Sequence, residues 1–304
     1  MRFAGIFALA FIYLIIFMPS CRMYHETEKV SYQVKEEDAD LKEGKRMTML
    51  VCGPCHYDAS TKKYTGGRMH DVPAFVGKVV ASNITRHSEM GIGEYSDPEL
   101  AYLIRTGLAK DGKLMPYMQR PNMADKDLKN IIAYLRSDDE PVKASDVNPG
   151  KTRYKLPGKI GISQSGPLPW KNENIERPPA VNLKATGKYL VDNLSCYDCH
   201  SKSFMAIDKL EPEKSKGYMG GGNKLKDRSG KTVVSPNLTP HVTGIADWKE
   251  EDLARALRKG QNKDKEIISF PMPMYSELTD KEVGAIYAYL MSLPPIKNET
   301  KQAE

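Results

Sequence analysis

Spare cysteine is missing from this chain. Of five cysteines in 304 residues, four stand in two C-x-x-C pairs and only Cys21 is left over, so no disulfide framework can be built. Runs of like charge are missing too. The net charge of +6 at pH 7 is spread along the chain, which offers nucleic acid no basic patch and reads as solvated surface compatible with a negatively charged partner. No apolar stretch reaches the roughly 20 residues that comfortably cross a bilayer; the longest runs from Phe3 to Met18. Strand alternation of any length is absent, which argues against an all-β chain. The run Gly220-Gly221-Gly222 is followed by no P-loop lysine and helix pattern, so it reads as a loop of close backbone approach rather than a phosphate cradle.

Against this background two short segments stand out. Cys52-Gly53-Pro54-Cys55-His56 and Cys196-Tyr197-Asp198-Cys199-His200 both spell C-x-x-C-H, the pattern of c-type haem attachment. The chemistry needs the three residues on one turn: two thiols add across the haem vinyl groups, and the following His binds iron from beneath the ring. A single C-x-x-C could equally be a redox dithiol or half of a zinc site. Two copies, each with its His and with no further cysteine pair to complete a zinc site, point to two covalent haems on Cys52, Cys55, Cys196 and Cys199, with His56 and His200 on the irons.

The N-terminus reads as an export signal over residues 1–20: a positive start at Met1-Arg2, the apolar run, then Pro19, Ser20 and Cys21. Cys21 stands where a lipoprotein signal places its acylated cysteine, and lipidation at Cys21 is the expectation; the alternative is an uncleaved anchor with an incidental cysteine. Residues 21–38 are polar and read as a tether. Both routes place the bulk of the protein on the periplasmic side of a bacterial membrane.

The rest of the chain repeats itself around a proline-rich linker. Asp40 to Val51, with Gly44, leads into the first motif, and Ala185 to Ser195, with Gly187, leads into the second. Asn83-Ile84-Thr85 is matched by Asn237-Leu238-Thr239. Helical patterns follow over Asp97–Thr106 and Trp248–Arg258, ending at Gly107 and Gly260. Methionine-rich loops come next, then amphipathic helices over Ala124–Ser137 and Thr279–Ser292, with Asp125 and Thr279 as expected N-caps. Gly44 against Tyr134 and Gly187 against Tyr289 are the expected helix crossings. The boundaries that result are a first helical domain over 39–140, a linker over 141–179 whose prolines exclude helix, a second domain over 180–296, and a polar tail over 297–304. Trp170 and Tyr154 predict that the linker packs on something. Cys196 to Asn237 is longer than Cys52 to Asn83 by ten residues (41 positions against 31), an insertion peculiar to the second half.

With its motifs in place, the chain resembles dihaem c-type cytochromes built from two class I cytochrome c domains. The likeness covers about Asp40 to Pro295 apart from the linker. It rests on C-x-x-C-H and is corroborated by the closing Ala-Tyr-Leu helices (Ala133 to Leu135, Ala288 to Leu290) and the methionine loops before them. The resemblance implies an all-α fold of two tandem helical domains, each wrapped on a haem, with a loop methionine as sixth iron ligand. Met272, followed by Pro273, is the choice in the second loop, with Met274 as fallback. In the first loop, spacing back from the closing helix favours Met118, while Met115 has the following proline. Thioether favours ferrous iron and raises the potential relative to bis-imidazole ligation. His25, His70, His87 and His241 remain as distal alternatives.

The expected function is a periplasmic, membrane-tethered relay of single electrons between redox partner proteins, a dehydrogenase or an oxidase among them, with no catalytic residue of its own. Two rivals stand beside it. One is a haem enzyme, peroxidase-like or a sulfur-compound dehydrogenase; the other is the cytochrome subunit of a membrane dehydrogenase complex, although such subunits commonly carry one haem more.

Overall fold

Residues 24–300 are described by the computed structural model; the export signal and Cys21 lie outside them. Nine α-helices carry this part of the chain. They are α1 (Leu41–Val51), α2 (Gly53–His56), α3 (Asp97–Thr106), α4 (Asp125–Arg136), α5 (Leu156–Gln164), α6 (Leu183–Asn193), α7 (Cys196–His200), α8 (Glu250–Lys259) and α9 (Asp280–Leu290). None is long and apolar enough to cross a membrane.

Local sequence explains most of the helix ends. Asp40 caps α1 by accepting the amide of Glu43. Ser96 with Glu99, and Thr279 with Glu282, form reciprocal capping boxes on α3 and α9, satisfying amides that the first turn leaves unpaired. Gly107 and Gly260 end α3 and α8 in the left-handed conformation. At α4 the expectation fails. Ala124 holds the cap position, while the carboxylate of Asp125 accepts from the Ile175 amide and from Arg105. A tertiary contact has taken the oxygen that would otherwise have capped the helix.

Both predicted crossings are present. A Cβ on Gly44 would stand 2.1 Å from the Asn130 carbonyl oxygen and 2.9 Å from Tyr134 Cβ. One on Gly187 would stand 2.0 Å from the Ala285 oxygen and 2.7 Å from Tyr289 Cβ. Each opening helix therefore lies backbone-to-backbone on its closing helix, α1 on α4 and α6 on α9.

Three expectations need correction. First, the fold is helix-rich but includes three two-stranded antiparallel sheets: β1 (Gly67–Arg68) with β3 (Val80–Ala81), β2 (Gly77–Lys78) with β4 (Arg153–Tyr154), and β5 (Lys224–Lys226) with β6 (Thr232–Val234). Their strands are two or three residues long, too short to leave an alternating pattern. Second, the linker does form a helix, α5. Pro157 stands in its first turn, where no amide donor is needed. Third, residues 24–38 do not behave as a free tether. The His25 amide bonds to the Gly112 carbonyl, and buried Tyr32 stacks edge-on against Trp170 at 6.2 Å.

The linker packs as Trp170 and Tyr154 predicted. The guanidinium of Arg105, only 2 % exposed, lies 5.1 Å from the centre of the Trp170 ring. Tyr154 joins Val72, Val76 and Val79 in a small apolar cluster.

The halves share one apolar core, which includes Met47, Leu50 and Ile131 from the first and Leu190, Val283 and Ile286 from the second. A charged network also crosses the join. Arg46 on α1 meets Glu282 on α9 at 2.7 Å, and Arg177 of the linker reaches Glu282 at 3.0 Å and Asp127 at 3.5 Å. The Tyr189 hydroxyl donates to Asp127 at 2.6 Å and accepts the Ala124 amide. Burial pushes the Glu282 carboxyl up, but the hydrogen bond from Arg46 prevails and its pKa falls below the ordinary 4.5. The hydrogen bond from Arg46 lowers Glu43 in the same way. Depressed carboxylates stabilise the fold above their ordinary pKa, and this contribution is lost as pH falls through the folded values. Glu282→Ala removes both the ion pair and the capping box. It is expected to cost about 3 kcal/mol at neutral pH, with the gap to the parent narrowing below pH 4.5, as denaturant midpoints at pH 7 and pH 3.5 (roughly a unit below the ordinary glutamate value) would measure. A constant gap would refute the assignment.

Candidate haem-binding sites

Each motif is a short helix entered directly from a longer one. α1 runs through Cys52 into α2, and Leu194 and Ser195 turn α6 into α7. Ser195 adopts a left-handed backbone at φ 55°, which reverses direction over a single residue.

The two histidines are held alike. His56 Nδ1 lies 2.7 Å from the Ser82 carbonyl oxygen and His200 Nδ1 lies 3.0 Å from that of Pro236. A carbonyl only accepts, so Nδ1 carries the proton in both rings and the Nε2 lone pair is left for a metal. Both imidazoles are buried, and burial lowers their pKa against the opposing pull of those carbonyls. Neutral rings with a free Nε2 are what iron requires.

Sequence reasoning noticed the repeated Asn-x-Thr but missed its job, which is to fix those carbonyls. Asn83 Oδ1 accepts from the Thr85 amide and hydroxyl at 2.8 and 2.7 Å, and its amide group ties down the carbonyls of Ser145 and Val147. Asn237 does the same with Thr239 and the Ile296 carbonyl. Each Asn immediately follows the residue that holds its histidine. The signal was legible as a motif recurring at matching positions.

A second matched pair is Gly66 and Gly221. Their amides donate to the carbonyls of His56 and His200 at 2.8 and 2.7 Å. Both have positive φ, and an added Cβ would stand 2.2 Å from the Ala81 carbonyl oxygen at Gly66 and 2.5 Å from that of Pro236 at Gly221. The glycine run is thus anchored at Gly221. The register also locates the insertion. Cys52 to Gly66 spans 14 positions and Cys196 to Gly221 spans 25, so the extra residues precede the glycine run. They form a loop that touches the first half: Leu210 accepts from Asn122 at 3.3 Å, and Phe204 joins the Val72 cluster.

Between the halves lies a cavity of about 1430 Å³ whose wall includes Cys55, Cys199 and Met272. Cys52 is buried, Cys196 and Cys199 are half-buried, and Cys55 opens into the cavity. Burial pushes the thiols of Cys52 and Cys196 up to about 12 and that of Cys55 up to about 11.

The residues fit a covalently held haem. Each motif offers two thiols and an imidazole on one turn, beside space open to both halves. The buried hydroxyl of Tyr64, next to Cys52, has no partner among the described residues, as expected where a polar ligand edge belongs.

Backbone register orders the methionines. The amides of Met115 and Ile268 bond to Gly107 and Gly260, and those of Arg120 and Tyr275 bond to Ile104 and Leu257. Met115 therefore occupies the start of its loop, where the second loop carries Ile268. Met118 and Met272 lie two and three residues before the matched Arg120 and Tyr275, and both pack against the core. Neither Met115 nor Met118 is part of the cavity wall, whereas Met272 and Met274 both are. Met274 is 66 % exposed. Of the other histidines, His87 and His241 close local turns with Nδ1, His25 lies against Gly112, and His70 is exposed at the cavity wall.

Residues 184–294 match the family model for cytochrome c. That span contains Cys196, Cys199 and His200, and a cytochrome c domain holds haem c covalently. The chain is 29% identical over 262 residues to the fructose dehydrogenase cytochrome subunit of Gluconobacter japonicus, covering 80% of this chain and 50% of that relative. It is 26% identical over 281 residues to the cytochrome c subunit of the quinone alcohol dehydrogenase of Gluconobacter oxydans, covering 86% and 56%. With the gluconate 2-dehydrogenase cytochrome c subunit of Pantoea cypripedii the identity is 28% over 274 residues, covering 84% and 60%. The chain thus spans about half the length of the curated relatives it matches.

Proposed function

We propose that this chain is a dihaem cytochrome c, two tandem cytochrome c domains on one polypeptide, that serves as the electron-relaying subunit of a dehydrogenase. The observation that carries the reading is the duplicated site: two C-x-x-C-H turns, each with its His Nδ1 bound to a carbonyl that an Asn-x-Thr clamp fixes, facing one cavity. The names of the relatives favour a dehydrogenase partner over a free-standing carrier.

Bound haem c would supply one-electron chemistry at each iron. The chain's residues do the rest. Cys52, Cys55, Cys196 and Cys199 would hold the two rings; His56 and His200 would present Nε2, and Met118 and Met272 would offer neutral thioethers as the remaining iron ligands. An iron so held would have no open position for a small oxidant and would serve as a relay. The shared core and the Arg46–Glu282 contact hold both motifs at a fixed separation, as series transfer between two bound haems would require. Export and acylation at Cys21 would hold the assembly on the periplasmic face of a membrane.

Expression with the haem-attachment machinery, followed by membrane fractionation, tests the reading. The intact mass of the exported chain is expected to exceed the processed polypeptide by two haem masses, and a dehydrogenase should co-purify and reduce it. Cys21→Ser should shift the complex out of the membrane fraction. Haem extractable into acidified organic solvent would refute covalent attachment, and reduction by no co-purifying enzyme would restore the free carrier.

A further inference from the structure

One side chain belongs to neither site and faces both. Arg120 follows the first methionine loop and lines the cavity with Cys55 and Cys199. Its Nε donates across the join to the Asn193 carbonyl at 2.8 Å, at the last residue of α6, three positions before Cys196. Its Nη1 donates to the carbonyls of Tyr117 and Gln119 at 3.1 and 2.9 Å. All these partners are neutral, and among the described residues no carboxylate pairs with it. Of the charges that share this wall, Lys209 meets Asp198 at 2.5 Å, and burial drives the Asp71 carboxyl toward its neutral form. The matched position of the second loop is Tyr275, buried and uncharged. At this register position the cation is present in the first half alone, yet it stands by both motifs, on the wall with Cys55 and Cys199 and bonded to Asn193 at the end of α6.

We propose that Arg120 is a shared tuning residue, whose uncompensated charge raises the potentials of both haems together. The inference rests on the dihaem reading above. Ferric haem carries one more positive charge than ferrous haem, so a nearby guanidinium with neutral partners disfavours oxidation. A half-buried position strengthens the effect because the low local dielectric screens it poorly. One residue placed between two motifs shifts both midpoints in the same direction and leaves the gap between them small.

The test is potentiometric titration of the holoprotein with optical detection, comparing the parent with Arg120→Gln and Arg120→Lys. Arg120→Gln keeps polar contacts and removes charge. Both midpoints are expected to fall, each by an amount equivalent to about a tenfold change in the reduced-to-oxidised ratio, or about 59 mV for a one-electron couple. Arg120→Lys keeps the charge and should stay near the parent. A fall confined to one haem, no fall, or an equal fall in Arg120→Lys would overturn the proposal, the last because loss of the Asn193 contact would then be the cause. Intact mass of the parent, measured first, separates this outcome from failure of the dihaem reading.

Discussion

Met272→Ala holoprotein is expected to bind carbon monoxide at one ferrous haem, where the parent binds it at neither. Thioether is a soft, neutral ligand that stabilises ferrous iron. Removing it should lower the potential of the second haem by on the order of 0.1 V, out of the ~0.8 V that axial ligation spans. The thioether-to-iron band at the red edge of the oxidised spectrum should weaken by about half, because one of two such bonds is gone. Met118→Ala should do the same at the first haem. Met115→Ala and Met274→Ala should leave the band intact, since Met115 sits at the loop start in the register of Ile268 and Met274, though also on the cavity wall, lacks the core packing of Met272. If Met115→Ala opens the iron instead, the register argument is wrong. Parent protein that binds carbon monoxide and turns over peroxide would put a haem enzyme in place of the relay.

The second large effect is structural. Gly187→Val should destabilise the folded chain by about 3 kcal/mol or more. Its first added carbon would stand 2.0 Å from the Ala285 carbonyl oxygen, an atom of helix backbone that cannot turn aside. Gly44→Val meets the same obstacle at the Asn130 oxygen and should cost as much. Gly161→Ala is the control. It lies within α5, its nearest neighbour is the Met205 side chain at 3.6 Å, and it should be neutral or stabilising by up to about 1 kcal/mol. Denaturant midpoints of the three variants would decide the matter. Equal midpoints for Gly187→Val and Gly161→Ala would show that the crossing yields easily.

These effects differ in how far the sequence alone anticipates them. The covalent chemistry proposed for each site is written within five consecutive residues, because two thiols and an imidazole must share one turn. The duplication was legible for the same reason: Asn-x-Thr, the terminal glycines and the Ala-Tyr-Leu helices recur in one order in both halves. Even the crossings at Gly44 and Gly187 could be named, since only a missing Cβ lets an aromatic helix approach so closely. What connects the halves has no such signature. Arg46 meets Glu282 across 236 positions, and Arg120 reaches Asn193 across 73, with no period or spacing to announce either. The linker looked helix-free because it holds many prolines, yet Pro157 fell where a first turn tolerates it. Asp125 looked like a cap until Arg105 and Ile175 claimed its carboxylate. Local geometry dictates which atoms can bind a haem and so can be read from neighbours in the chain. Packing two such sites around one cavity depends on surfaces that come together only on folding, so the tertiary structure alone decided what lies between them.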